Sequence, residues 1–372
     1  MIGKRRRMRV SSPGRVCLFG EHQDYLGLPV ISLAISLRIA VEGERRNDAR
    51  VHVLLPDVGA EVDFRLDEPL RYEGTRDYIR GAVNVLRREG FSFSKGFDCV
   101  VRGEIPISAG TSSSSALAAS WVSFLARMAD EPRALAPEEC GRLAHAAEVL
   151  EFNEPGGMMD QYTAAFGGLL FIDFEPALGV ERLAAPLGTF VLGDSREPKD
   201  TMAILARVKN RVLPITRRLA ESRPGFSLHT TRPDEIERLG AGLDRGDRDL
   251  LAATLANRDL TREALARLGE EPLDHRALGA LLGRHHAILR DALDISTPRI
   301  ERMLAAAAEA GAYGGKINGS GGGGCMFAYA PEHPERVARA IEEAGGTAYV
   351  VRGDAGTRAE PPLDASDETP TT

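Results

Sequence analysis

Two carboxylates flank a Pro-Gly-Gly break near the middle of the chain. Glu148 lies near the end of a predicted helix over residues 137–152, and Asp160 follows the break where a new helix should begin. A carboxylate in such a place can accept a proton from a hydroxyl or bind a metal ion. It can also cap the new helix, which is the more frequent role. This segment alone leaves these interpretations open.

A second segment combines a polar loop with several hydroxyl groups. The loop, residues 103–111, leads into an Ala-rich helix predicted over residues 112–128, which Ser112 to Ser114 would cap. The free N–H groups and the positive end of such a helix suit a phosphate group or its Mg²⁺. A Ser-rich cap is the alternative, but four consecutive serines exceed what one cap requires. No Gly-Lys-Ser/Thr follows, so the loop is not a Walker loop.

Residues 11–27 place a cation, two carboxylates and an imidazole on one predicted loop. These residues are Arg15, Glu21, His22 and Asp24. Carboxylates and histidine suit metal ligation and hydrogen bonds to sugar hydroxyls equally well. A solvated charged loop is the third interpretation, and the segment alone does not decide among them.

A second glycine-rich segment, residues 314–329, contains the spacing GxGxxG at Gly319, Gly321 and Gly324. Dinucleotide binding requires a helix after such glycines, whereas the composition of residues 325–330 predicts a strand. The segment is therefore not a dinucleotide-binding loop. So dense a glycine run still indicates a tight turn or a close approach to another group, with a flexible hairpin as the alternative.

The elements that must position these loops fall into two halves. Apolar alternation predicts strands over residues 8–10, 30–42, 51–55, 97–101, 167–174 and 189–193, and a helix over residues 77–88. The pattern is almost wholly helical over residues 199–310, and strands at residues 316–317, 325–330 and 348–352 surround a helix at residues 334–344. We place a domain boundary near residue 190. The acidic tail without periodicity should be disordered.

Composition narrows the class of protein. A chain of 372 residues with 43% hydrophobic and 27% charged residues is typical of a globular protein, and no stretch approaches the ~18 apolar residues of a membrane span. The net charge of −7 argues against nucleic acid as a partner. The chain start lacks the apolar core of a secretory signal, and four scattered cysteines suit buried thiols. We expect a cytoplasmic protein with no nucleic-acid or membrane partner.

Taken together and in this order, the segments resemble the three signature motifs of the GHMP kinases, the family of galactokinase, homoserine kinase and mevalonate kinase. The likeness runs from about Pro13 to Ala330. PGRVCLFGEHQDYLG is similar to the sugar-binding signature of the galactokinase branch. Gln23 and Leu26 depart from that signature, which usually has Thr and Asn there. Residues 195–212 look more like the mevalonate kinase stretch than the galactokinase segment with a sugar-contacting tyrosine.

The resemblance implies an α+β protein of two domains. Residues 1–190 would form an α/β domain like the second domain of ribosomal protein S5, and residues 191–353 a ferredoxin-like α+β domain. Residues 354–372 would be a disordered tail. The active site would lie in the cleft between the two domains, and the protein would be a monomer or a homodimer.

The resemblance also implies a role for each motif residue. The phosphates of ATP would contact Pro106, Ile107, Ser108, Ala109, Gly110, Thr111, Ser112, Ser113, Ser114, Ser115, Gly321 and Gly322. Mg²⁺ would bind Ser114, or Ser113 in a shifted register, together with Glu148. Asp160 would accept the proton of the acceptor hydroxyl or orient that hydroxyl. Arg15 would keep Asp160 ionised and stabilise the developing charge. The acceptor would contact Arg15, Glu21, His22, Asp24, Gly157 and Asp160.

These roles predict an ATP-dependent kinase that phosphorylates a small sugar, with galactose or a related hexose as the leading candidate and the anomeric hydroxyl as one acceptor. A mevalonate kinase-like enzyme is the alternative within the family. A non-catalytic sugar sensor with the same fold is the alternative of another class. Tyr78 and Gly81 resemble a nucleotide-side helix of galactokinases, although Tyr78 suits the core of an amphipathic helix equally well.

Overall fold

The computed structural model describes residues 6–107 and 109–361. Ser108 of the predicted phosphate loop and residues 362–372 of the predicted disordered tail lie outside the described residues. The strands are β1 (Arg7–Phe19), β2 (Val30–Arg45), β3 (Arg50–Leu55), β4 (Ala60–Arg65), β5 (Phe97–Gly103), β6 (Leu169–Asp173), β7 (Gly179–Leu183), β8 (Phe190–Asp194), β9 (Gly314–Ile317), β10 (Cys325–Tyr329), β11 (Thr347–Val351) and β12 (Arg358–Glu360). The helices are α1 (Tyr78–Arg88), α2 (Ser113–Met128), α3 (Pro137–His145), α4 (Met159–Phe166), α5 (Thr201–Ser222), α6 (Ile236–Leu239), α7 (Arg245–Leu268), α8 (His275–Asp291), α9 (Pro298–Glu309) and α10 (Pro334–Glu343).

The strands form two sheets, which confirms the predicted α+β architecture. The first sheet has eight strands in the order β12-β1-β2-β5-β3-β4, with β6 paired to β2 and β7 paired to β6. The second sheet is antiparallel, in the order β11-β8-β10-β9. On the edge away from β1, the last residues of β2 pair with β5 and its first residues pair with β6.

The first strand is longer than the sequence predicted. We expected a strand over residues 8–10 followed by a loop, but β1 continues to Phe19 and is buried over most of its length. Pro13 is tolerated because the pairing with β2 is irregular between Pro13 and Arg15, and proline fits a strand at such a bulge. Arg15 therefore projects from a strand rather than from a loop.

Two further predictions, the start of the disordered tail and the sheet to which residues 189–193 belong, need correction. The predicted disordered tail begins too early, because β12 pairs with β1 through Arg9 and Glu360, and Asp354 forms an ion pair with Arg38 at 3.0 Å. Residues 358–360 thus belong to the first sheet, and Asp354 is held against β2 of that sheet. The strand expected to close the first half is β8, which instead lies between β10 and β11 in the second sheet.

A shared apolar core joins the two sheets. Leu18 and Ile31 of the first sheet pack in one buried cluster with Phe190, Phe327 and Tyr329 of the second sheet. Burial of such side chains contributes roughly 1.5–3 kcal/mol each, so the cluster fixes the two halves against each other. Within the described part of the chain, no helix has the length and apolar composition needed to cross a membrane.

Candidate active site

A cleft of about 400 Å³ lies where the two halves meet. Its lining joins segments that are as much as 300 residues apart in sequence. The predicted residues that border it are Arg15, Glu21, His22, Asp24, Ile107, Gly110, Ser112, Ser113, Ser114, Ser115, Glu148, Gly157 and Asp160. The loops identified separately in the sequence therefore share one cavity.

Asp160 and Arg15 form a bidentate ion pair in the cleft. The Arg15 Nε and Nη2 atoms donate to the two carboxylate oxygens of Asp160, each at 2.7 Å. A third Arg15 donor reaches the carbonyl oxygen of Gly110 at 2.5 Å. The Asp160 side chain is 27% exposed whereas that of Arg15 is 6% exposed. The carboxylate is thus fixed in orientation and still reachable from the cleft.

Ser112 has a different role from the one that its sequence position suggested. It is the N-cap residue of α2, but its side chain makes no capping hydrogen bond. Instead, its hydroxyl donates to Asp160 Oδ2 at 2.5 Å. Its backbone adopts φ of 61°, a strained conformation for a residue with a side chain. Strain of this kind is retained where the surrounding structure fixes a functional geometry.

The predicted phosphate loop divides into two groups of residues. Ile107, Gly110 and the four serines that follow Thr111 border the cleft, but Pro106, Ala109 and Thr111 do not. Ala109 and Thr111 are buried, and the Thr111 carbonyl accepts a hydrogen bond from the Arg15 backbone N–H at 3.2 Å. These residues support the loop from behind.

Glu148 lies on a π-helical turn, Ala146–Leu150, that continues α3. Such turns often occur at functional sites because they redirect a side chain. Gln161 Nε2 donates to Glu148 Oε2 at 2.7 Å. Burial raises the pKa of Glu148 to about 7, and hydrogen bonds from Ser114, Gln161 and Ser115 oppose this shift. Sequence reasoning missed Gln161, although its place directly after Asp160 was a signal.

Glu21 is engaged inside the protein. Its Oε2 atom accepts hydrogen bonds from Lys316 Nζ at 2.8 Å and from the backbone N–H of Gly319 at 3.0 Å. The Lys316 side chain is fully buried and that of Glu21 is 3% exposed. This ion pair connects the first motif to the second glycine-rich loop. The lysine escaped sequence reasoning because its partner is 295 residues away.

His22 is also held by protein groups on both sides. Its backbone has φ of 62°. Its Nε2 atom lies 3.1 Å from the carbonyl oxygen of Ser320, which can only accept, so Nε2 carries the proton. Its Nδ1 atom then accepts from the Tyr25 hydroxyl at 2.9 Å. Burial lowers the pKa of His22, which favours this neutral ring.

Asp24 is anchored beside Asp160. Its oxygens accept hydrogen bonds from the backbone N–H groups of Tyr25 at 2.9 Å and Met159 at 3.4 Å. A Cβ atom on residue 157 would overlap the Asp24 carboxylate, so this approach requires Gly157. Burial raises the pKa of Asp24 to about 6, and the charge of Asp160 adds to the shift.

The second glycine-rich loop contacts the cleft through other residues than predicted. Among the described residues, Gly319 and Ser320 border the cavity, whereas Gly321 and Gly322 do not. The Gly322 backbone N–H donates to the Ile295 carbonyl at 2.7 Å, which turns this part of the loop toward the second domain. Contact of Gly321 and Gly322 with the phosphates of ATP remains a prediction from the resemblance.

One end of the cleft is apolar. Leu55, Val101, Ile105 and Leu117 border it together with Tyr78. The Tyr78 hydroxyl donates to Glu154 Oε1 at 2.6 Å, so the ring is held at the wall rather than in the core. An apolar slot of this kind suits a heteroaromatic ring.

The sequence matches three family descriptions. Residues 77–168 match "GHMP kinases N terminal domain", residues 261–347 match "GHMP kinases C terminal" and residues 2–45 match "Galactokinase galactose-binding signature". A mevalonate kinase of Thermococcus gammatolerans is 30% identical over 357 residues, which is 92% of this chain and 95% of that protein. A galactokinase of Homo sapiens is 28% identical over 366 residues, which is 93% of this chain and 90% of that protein.

Solved structures share the fold. A Lactococcus lactis galactokinase complexed with galactose has a TM-score of 0.83 at 22% identity and covers 95% of each chain. A Methanococcus jannaschii mevalonate kinase has a TM-score of 0.68 at 19% identity and covers 95% of this chain and 100% of that chain.

Fold, site and sequence together define an ATP-dependent small-molecule kinase, and the chain belongs to the GHMP kinase family. Within that family, the galactose-binding signature and the galactokinase relatives support the galactokinase branch.

Proposed function

We propose that this kinase transfers the γ-phosphoryl group of ATP to a hydroxyl of a small sugar, with galactose or a related hexose as the leading candidate. The observation that carries the proposal is the position of Asp24. Its carboxylate accepts the backbone N–H of Met159, the residue before Asp160. A group suited to recognising hydroxyls is therefore fixed next to the group suited to accepting a proton.

Asp160 acts on the attacking hydroxyl in this proposal. The acceptor oxygen forms a bond to the γ-phosphorus, the bond to the β–γ bridging oxygen breaks, and ADP leaves. The acceptor proton passes to Asp160, whose carboxylate is oriented by Arg15 and Ser112. Positioning of this kind, rather than covalent chemistry, supplies most of the catalysis in phosphoryl transfer.

The N-terminal end of α2 and the loop before it would hold the triphosphate. The first N–H groups of a helix have no partner within it, so those of Ser113, Ser114 and Ser115 are available to an anion. The apolar slot beside Tyr78 would take the adenine ring. Because Ser112 at the start of α2 donates to Asp160, a triphosphate held there would have its γ-phosphate near Asp160.

The residues present also fit Mg²⁺, which would neutralise phosphate charge when bound. Magnesium is commonly held by one carboxylate and one hydroxyl together with substrate phosphates, and Glu148 with Ser114 offers that set. The buried Oε1 atom of Gln161 has no hydrogen-bond partner among the described residues, which fits a neighbouring hydrated cation. Binding of Mn²⁺ to the ADP complex, measured by electron spin resonance, should weaken in Glu148→Gln.

A mevalonate kinase-like activity is the second candidate. The 30% identical relative favours it, as do the apolar side chains of Met202 and Leu205, which border the cleft from α5. The anionic Asp24 in the same cleft opposes an anionic acceptor. A non-catalytic sensor gains no support, because Arg15 and Asp160 keep a bidentate contact.

The test is an ATP-consumption assay against aldoses, uronic acids, amino sugars, inositol and mevalonate. We expect a hexose or a close relative to be phosphorylated and mevalonate to be refused. Asp24→Asn should raise the KM for the accepted sugar by about tenfold or more, because a site built to pair with hydroxyls loses specificity when a partner is removed. The KM for ATP should stay nearly constant.

Asp57→Asn is the matched control, since Asp57 borders the other end of the cleft. This variant should leave the KM for the sugar unchanged. Robust phosphorylation of mevalonate with no activity on any sugar would overturn the proposal.

A further inference from the structure

Lys199 lies where the two glycine-containing loops of the cleft meet. It belongs to the segment that connects β8 to α5, and it borders the cleft. Its Nζ atom donates to Ser320 Oγ at 3.2 Å. A Cβ atom on Gly110 would lie 2.7 Å from Nζ, and one on Gly324 would lie 3.2 Å from Lys199 Cδ. The side chain therefore passes between the two loops, with its ammonium group over the phosphate loop.

Lys199 also differs from the other cations of the cleft. Among the described residues, the cleft is bordered by three basic side chains: Arg15, Arg76 and Lys199. Arg15 pairs with Asp160 at 2.7 Å, and Arg76 pairs with Glu154 at 3.1 Å. Lys199 has no ion-pair partner in residues 6–107 and 109–361. Its ammonium group has three donors, and the bond to Ser320 uses one.

This difference determines which cation can compensate phosphate charge. The transferred phosphoryl group spreads negative charge over three oxygens, and enzymes stabilise it with preorganised positive groups. The charge of Arg15 is already matched by the Asp160 carboxylate, so that pair presents little net charge to a phosphate. Lys199 presents a full positive charge from the second domain.

We propose that Lys199 is a catalytic residue whose ammonium group contacts the γ-phosphoryl group while it passes from ATP to the acceptor. This inference rests on the proposed function for the presence of an acceptor in the cleft. Lys199 keeps its proton throughout, since the acceptor proton passes to Asp160. The role of Arg15 is then to orient Asp160, which is narrower than the role predicted from its sequence position.

The electrostatics around Lys199 agree with such a role. Burial lowers the pKa of Lys199 to about 8. Of the neighbouring groups, Cys325, Glu21 and Asp160 raise this pKa and Arg15 lowers it. The ammonium form thus prevails at neutral pH and is lost as the pH rises through about 8. We expect kcat/KM for ATP to fall on that alkaline side.

The experiment compares Lys199→Met, Lys199→Gln and Lys199→Arg with the wild-type enzyme. Loss of the ammonium group in Met or Gln should lower kcat by about 10²-fold or more, because one preorganised donor to a developing charge is typically worth that much. Lys199→Arg should recover about tenfold of the loss in kcat. It should also remove the alkaline fall of kcat/KM for ATP, because arginine keeps its proton at that pH. Arg196→Met is the matched control, since Arg196 is exposed on the same segment and donates to Thr347.

A binding measurement makes the test independent of the acceptor. Calorimetry with Mg²⁺ should show that Lys199→Met weakens a non-hydrolysable ATP analogue about tenfold while the affinity for ADP, which lacks the γ-phosphate, stays unchanged. Turnover and analogue affinity within about threefold of wild type would overturn the inference. A rise in the acceptor KM alone would also overturn the inference, because it would indicate that Lys199 contacts the acceptor and not the γ-phosphate. A wild-type enzyme that accepts only a non-sugar would instead defeat the proposed function, and the analogue-to-ADP comparison would still decide the role of Lys199.

Discussion

Two cation–carboxylate pairs connect the first motif to distant parts of the chain, and they differ in accessibility. Arg15 contacts Asp160 at 2.7 Å, and the carboxylate side chain remains 27% exposed in the cleft. Glu21 contacts Lys316 at 2.8 Å, and both side chains are almost completely buried. The first pair joins two segments of the same domain, whereas the second joins the two domains.

The difference separates a group that can react from a group that holds the structure. Asp160 is oriented by Arg15 and Ser112 but keeps an open side toward the cleft, so a substrate hydroxyl can reach it. The Oε2 atom of Glu21 accepts hydrogen bonds from Lys316 and from the Gly319 backbone. Both carboxylates were candidates for contact with the acceptor. Burial and the number of internal partners distinguish them.

The largest expected effect concerns the exposed pair. Asp160→Asn keeps the shape of the side chain and one oxygen acceptor for Arg15, but it removes the ability to take up a proton. We expect turnover to fall by about 10³-fold, or about 4 kcal/mol in activation free energy. Steady-state kinetics should show this loss at a temperature where both proteins are folded, with ADP affinity nearly constant. Near-normal turnover on the true acceptor would contradict the assignment.

The buried pair should show its effect in stability first. Lys316→Met leaves the Glu21 carboxylate buried without its cation, which should lower the free energy of unfolding by about 3 kcal/mol. Chemical denaturation measures this loss. The double variant Glu21→Gln with Lys316→Met should recover most of it, because replacing both charges removes the unpaired one and the glutamine oxygen still accepts from Gly319. A double variant as unstable as Lys316→Met would show that the pair is not the cause.

Asp24 differs from both Asp160 and Glu21, because it has no cation partner among the described residues. Burial raises its pKa to about 6, so falling pH protonates it and removes an acceptor for sugar hydroxyls. The KM for the sugar should rise about fourfold between about pH 7 and about pH 5.5. Asp24→Asn should abolish this dependence, which a pH series of initial rates would reveal. An unchanged pH profile in the variant would contradict a role of Asp24 in recognition.

The raised pKa of Asp24 also affects the stability of the folded protein. The unfolded chain ionises Asp24 near its ordinary pKa, below the value in the folded protein. Ionised Asp24 therefore costs stability in full above about pH 6, and this cost decreases as the pH falls below that value until it is gone below the ordinary pKa of the unfolded chain. Recognition and stability consequently oppose each other at this residue.

Local patterns determined much of the architecture. The helix predicted over residues 77–88 is α1, and the Ala-rich run predicted α2 to within one residue. The glycine run before β10 excluded a dinucleotide site because a strand and not a helix follows it. The order and spacing of the motifs were also sufficient to indicate the kinase family. Caps, turns and apolar periods depend on neighbours a few residues apart, so the sequence displays them directly.

Only the tertiary structure decided which motif side chains stay open to the cleft and which are engaged inside the protein. The sequence placed Glu21 and His22 beside Asp24, but Lys316 and Ser320, nearly 300 residues later, engage their side chains. These contacts form because the two sheets share one buried core, and no local pattern records which loops that packing brings together. The sequence alone therefore indicated a phosphoryl-transfer reaction, and the packing of the two domains determined which of the motif side chains remain accessible for it.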